Sequence, residues 1–158
     1  MSILKFENRT PRSLSKMYEY MIDPQKTDVS AIFGIGVNPS NAVNEMKFIQ
    51  NLYRKENLTH EYLQIIFVFD VGVKAEMSLI REVGERIGAV LVTDKRQVFG
   101  AIHYLGKEAN HISCHYMVNY VGIDGVLYKQ KYSVVHYKKL VNQILSEYGF
   151  NLIHYYDS

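Results

Sequence analysis

The sequence predicts an α+β fold with a central, largely antiparallel sheet flanked by helices. Three observations carry that reading. Apolar residues recur at helical spacing in four segments, apolar runs of strand length lie between them, and the later strands are joined by short turns. Parallel strands need a crossover of a dozen residues or more, so short turns imply antiparallel neighbours. No repeat, low-complexity tract or proline-rich linker divides the chain, and residues 1–158 read as a single domain. A chain of this length buries roughly two-thirds of the surface its unfolded form exposes.

Taken in order, "ILKF" is a short first strand. "TPRSLSKMYEYMI" opens on a cap-and-proline pair, Thr10-Pro11, and sets Leu14, Met17 and Met21 on one helical face. The helix stops at "DPQKTD", where Pro24 restricts the backbone of Asp23. "VSAIFGIGV" reads as a buried strand. "NPSNAVNEMKFIQNLYRKEN" is a helix with Asn38 as N-cap, Pro39 at its first position, and Ala42, Met46, Ile49 and Leu52 inward. "YLQIIFVFDV" is the strongest strand signal. "KAEMSLIREVGERIGAVL" is a second amphipathic helix, with Met77, Ile80, Val83 and Ile87 inward. "QVFGAIHYL" and "HISCHYMVNYV" are strands around the polar loop "GKEAN". "IDGVLYK" supplies a turn at Asp124-Gly125 and a further strand. "VHYKKLVNQILSEYG" is a helix closed by Gly149 at the position after its cap, and the tail "FNLIHYY" pairs or packs.

Composition excludes some functions and leaves others open. No apolar run reaches the roughly 20 residues that a membrane helix needs, and the first residues lack the apolar centre of a signal peptide. One cysteine, Cys114, cannot form an internal disulfide and fits a reducing, cytoplasmic setting. The charge balance, 18 Lys+Arg against 16 Asp+Glu, is too even to announce nucleic-acid binding by itself. Thirteen tyrosines and seven phenylalanines suit base stacking, and equally suit half-buried sheet faces.

The chemistry-bearing pattern is "NHISCHYMVN". Side chains alternate along a strand, so His111, Ser113 and His115 share a face, and a hairpin centred near Lys107 brings His103 opposite residues 111 to 113. Imidazole is a common ligand for divalent transition metals, which makes His103, His111 and His115 a candidate metal set. Alternate residues on one face stand about 7 Å apart and residues four apart about 13 Å, so His111 and His115 converge only on a curved or bulged strand. The other reading is three half-buried sheet histidines with hydrogen-bonded partners. Cys114 points to the opposite face, toward the core.

The block "AIHYLGKEANHISCHYMVN" resembles the histidine motif of the relaxases, the mobilisation nucleases that nick plasmid or conjugative-element DNA at its transfer origin. "YMIDPQKT" is similar to the family's tyrosine signature, "GIGVNPSNAVNEMKFIQNLYRK" to the stretch after its second strand, and "IIFVFDVGVKAEMSLIREVGERIG" to its strand, acidic loop and helix. "DGVLYKQ" and "YKKLVNQILSEYGFNLI" resemble its closing strand and helix, so the likeness runs in order along nearly the whole chain.

The resemblance implies a relaxase-like fold and an HUH-type enzyme that cuts single-stranded DNA at a transfer origin. Tyr20 stands at the nucleophile position with Tyr18 as its rival, Glu76 at the acidic position and Asn119 at the motif's asparagine. Lys26 is a candidate phosphate contact, and His103, His111 and His115 are the implied ligands of a divalent metal, Mn or Mg. The tyrosine would attack phosphorus and leave the enzyme on the DNA 5′ end. An ordinary phenol ionises at about pH 10, and a metal polarising the phosphate would help it. Glu76 would act through a histidine, or merely serve the helix dipole as a first-turn acid. Accessory relaxosome proteins are the further partners implied.

Two departures stand out. Ser113 replaces the first histidine of the paired motif, and the hairpin loop is a few residues longer. Three functions therefore stay open: a nicking relaxase impaired to some degree by Ser113, a relaxase-like or replication-initiator-like module that binds DNA without cleaving it, and an α+β protein-interaction domain.

Overall fold

The protein was analysed as a computed structural model, which describes residues 2–7, 13–55, 58–70 and 74–155. Five strands, β1 (Ile3–Glu7), β2 (Ile32–Ile35), β3 (Tyr62–Val68), β4 (Val98–His103) and β5 (Ser113–Asn119), form one sheet. Their spatial order is β1-β3-β5-β4-β2, with every neighbouring pair antiparallel. Four helices flank it: α1 (Leu14–Met21), α2 (Ala42–Leu52), α3 (Met77–Leu91) and α4 (Val134–Glu147). Among the described residues, no helix is long and apolar enough to cross a membrane.

β5 occupies the middle of the sheet and is buried along its whole length. Its alternation divides the core in two. Cys114, Tyr116 and Val118 join Phe33, Ile65, Phe67 and Ile102 beneath Ile80, Val83 and Ile87 of α3 and Val141 and Leu145 of α4. Met117, with Phe99 and Ala101 of β4, faces the other way, beneath Leu14, Met17 and Met21 of α1 and Ala42 and Met46 of α2. A helix as short as α1 is not stable alone, and each large apolar side chain it buries contributes about 1.5–3 kcal/mol. Sheet and helices approach closely on the α3 side. A β-carbon on Gly88 of α3 would stand 2.9 Å from the Tyr116 ring of β5.

Several elements differ from the sequence expectation. α1 starts at Leu14, with the Ser13 side chain accepting from the Lys16 amide; the Thr10-Pro11 pair lies outside the described residues. The first residues of "VSAIFGIGV" form a 3-10 turn, Val29–Ala31, before β2. Asn38 does cap, but it caps a 3-10 turn over Pro39–Asn41 that shifts the phase of α2. The inward face of α2 is consequently Ala42, Met46 and Gln50, while Leu52 is exposed. α3 begins at Met77, which is only partly buried, and leaves Lys74 to Glu76 outside the helix. The Asp124-Gly125 turn forms with Gly125 at φ +85°, but the chain after it makes only an isolated bridge, Val121 to Leu127, not a strand. α4 closes on Gly149 at φ +70°, and the tail pairs through a parallel bridge from Ile153 to Ser2.

Candidate active site

Register sets the first two members of the site. His103, the last residue of β4, lies opposite Ser113, the first of β5, and His115 lies opposite Ala101. All three histidine-motif side chains on these strands, His103, Ser113 and His115, are buried on the α1 side of the sheet. The two imidazole rings stack with centroids 4.1 Å apart and planes at 34°.

Their tautomers follow from their partners. A helix leaves its last carbonyls without intrahelical donors, and the final carbonyl of α1, Met21 O, accepts from His103 Nε2 at 2.9 Å. Nε2 therefore carries the proton, and Nδ1 is a lone pair, buried and without a hydrogen-bond partner. His115 accepts at Nδ1 from the Gln64 amide (3.3 Å) and donates from Nε2 to Ser113 Oγ (3.0 Å). Burial holds both rings below the usual histidine range. For His103 the Lys26 charge adds to burial and the Met21 carbonyl opposes it. His115 is pushed down to about 3 by burial, then by His103 and Lys26. Both rings are neutral at physiological pH.

Tyr20 closes the site from α1. Its ring stands edge-on to both imidazoles, with centroids 5.5 Å from His103 and 5.8 Å from His115. Two residues along a helix turn the side chain by about 200°, and Tyr18 accordingly packs elsewhere, against Phe99 at 4.9 Å, its hydroxyl donating to Pro39 O. Pro24 ends the helix, and the following turn folds back through Lys26 N to Asp23 O. The Lys26 carbonyl then accepts from the amides of Tyr104 and Leu105, just past β4. That double tie holds the Lys26 ammonium 4.3 Å from the centre of the Tyr20 ring.

Of the residues singled out in sequence, Tyr20, Lys26, His103 and His115 are brought together, and four are not: Tyr18, which packs on Phe99, and His111, Asn119 and Glu76. His111 lies in an exposed bend before β5, so the alternation that placed it beside Ser113 does not reach it. Asn119 is at the far end of β5, about 13 Å along the strand from His115. Its amide is fully engaged, accepting from Gln50 and the Val121 amide and donating to Gln97 and Met46 O. Glu76 is exposed at the start of α3, the helix that covers the opposite face. Sequence reasoning missed Gln64, whose one signal was a lone amide inside the apolar run "YLQIIFV".

These residues do not fit a three-histidine metal centre. Three of the four ring nitrogens are committed to Met21, Gln64 and Ser113, which leaves the single lone pair of His103 Nδ1. Among the described residues, no three His, Cys, Asp or Glu side chains are grouped to hold a metal ion.

A family model described as relaxase, MobA/VirD2-like, nuclease domain, matches residues 20–150. No curated protein matches the chain. A solved structure described as "Molecular Basis of Vancomycin Resistance Transfer in Staphylococcus aureus" superposes with a TM-score of 0.62, over 100% of both chains and at 10% identity, a likeness of fold.

Proposed function

The chain belongs to the relaxases, in the MobA/VirD2-like nuclease-domain family of DNA-processing proteins, and from that premise we propose that it cleaves and holds single-stranded DNA through Tyr20. One observation carries the reading: Tyr20 is the tyrosine whose ring packs on both imidazoles and lies beneath the Lys26 ammonium. In the reaction a bond forms between Tyr20 Oη and phosphorus while the bond from phosphorus to the 3′ oxygen breaks. The phenolic proton passes, on balance, to the departing 3′ oxygen. His103 Nδ1, neutral and without a partner, offers an acceptor for that proton in transit. The DNA can approach over β1 and β3, where Ile3 and Lys5 are exposed and Gln64, Ile66 and Val68 half-buried.

Mixing the protein with a pool of single-stranded oligonucleotides should give a denaturation-resistant protein–DNA adduct that Tyr20→Phe abolishes. A second reading, binding without cleavage, draws on Ser113, whose hydroxyl occupies a motif position where the family resemblance leads one to expect an imidazole. Strand binding by the wild type with no adduct from any pool would favour it.

A further inference from the structure

Transfer at a phosphodiester needs positive charge beside the phosphorus, because negative charge builds on its oxygens as the nucleophile arrives. A divalent ion is one source of that charge, and the imidazole pair is poorly made to hold one. To ligate through His115, an ion would have to break the bond to Gln64 or the bond to Ser113. His103 offers Nδ1 alone, because its Nε2 is held by Met21 O, a helix-terminal carbonyl. Neutral oxygen and nitrogen bonds of this kind are modest one by one, but each buried group left unpaired adds a cost. A dication on these rings would also lie beside a fixed ammonium, an unfavourable like-charge neighbour.

The same ammonium is already where the charge is needed. Lys26 lies over the Tyr20 ring, and its main chain is tied at both the amide and the carbonyl, so the side chain starts from a fixed base. Its charge acts on both imidazoles. Resting on the reading of Tyr20 given above, we propose that this site meets the scissile phosphate with the Lys26 ammonium in place of a divalent cation, and that the Ser113–His115 hydrogen bond closes the imidazole pair against metal. Lysine binds phosphate as a compact point charge and needs no particular orientation. Bonds made and broken are unchanged from the reaction above, since the ammonium stabilises charge and exchanges no atom.

Three measurements on the full chain test this. The first is calorimetric titration with Mn²⁺ alone, at neutral pH, of the wild type and of Ser113→His. The wild type should show no saturable binding and Ser113→His should gain it. Stoichiometric binding by the wild type, or none by a folded Ser113→His, overturns the metal half of the proposal. The second is binding of a fluorescent single-stranded oligonucleotide in EDTA. Lys26→Gln should weaken it about tenfold and lower the slope of log affinity against log salt by roughly 0.7, the value for one phosphate contact, with Lys26→Arg retaining most of both. An unchanged affinity and slope in Lys26→Gln overturns the lysine half. The third is adduct formation in EDTA, which should persist; an adduct lost in EDTA and restored by Mn²⁺ overturns the whole. Should no adduct form at all, the nicking reading fails, and the first two measurements still decide where the charge comes from.

Discussion

Tyr20 and His115 meet edge to face, ring centroids 5.8 Å apart and planes at 82°, although one ends a helix and the other lies within the central strand. Their meeting is a consequence of packing at one remove. Leu14, Met17 and Met21 bury the inner stripe of α1 against Phe99, Ala101 and Met117, and Tyr20 is carried to the rim of that contact. The hydrogen bond from His103 to Met21 O then fixes the end of the helix directly over the imidazole pair.

The two tyrosines of α1 separate by function. Tyr18→Phe loses the bond to Pro39 O and should cost about 0.5–1.5 kcal/mol in denaturant unfolding while leaving adduct yield intact. Tyr20→Phe should abolish the adduct while the protein still folds and still binds single-stranded DNA. Equal adduct loss in both variants would mean that the helix, and not one phenol, is being read.

Acid should destabilise the fold through its buried imidazoles. His115 has a folded value of about 3 against an ordinary 6.5, so between those limits the unfolded chain binds a proton that the folded chain refuses. Its stabilising effect is therefore fully present above about pH 6.5 and is lost as pH falls toward about 3, with a slope approaching about 1.4 kcal/mol per pH unit. His103 is displaced in the same direction and steepens the loss. Urea unfolding across this range should show it, and His115→Gln should flatten the profile. A wild-type profile flat through that window would contradict the buried, neutral pair.

Asn119 is a test of structural against chemical roles. Its amide joins α2 to β5 and to the segment before β4 through Gln50, Met46 O and Gln97. Asn119→Ala leaves those buried partners unpaired and should cost about 2–3 kcal/mol. Adduct yield per folded molecule should stay at the wild-type level. A stable Asn119→Ala protein with no adduct would return this residue to the reaction.

Periodicity made much of this legible in advance. The alternation of β5, with Cys114 inward and His115 on the other face, and the inner stripe of α3 at Ile80, Val83 and Ile87 follow from spacing alone. The loop length likewise brought His103 opposite Ser113. What spacing could not supply was the point at which a regular element begins. The bend at His111 and the start of β5 at Ser113 consume residues that read as strand, which removes His111 from the cluster. A 3-10 turn at Pro39–Asn41 rotates α2, and the polar network around Asn119 then draws Gln50 inward where Leu52 was expected. The Lys26–Tyr20 contact rests on backbone ties from Lys26 to Tyr104 and Leu105, residues distant in sequence, and no local pattern encodes them.

The most direct measurement is to form the adduct with a single-stranded oligonucleotide pool, digest protein and DNA, and locate the nucleotide-bearing peptide by mass spectrometry. One modified peptide is expected, with the phosphodiester on Tyr20. A nucleotide on Tyr18 or on any other residue would contradict it.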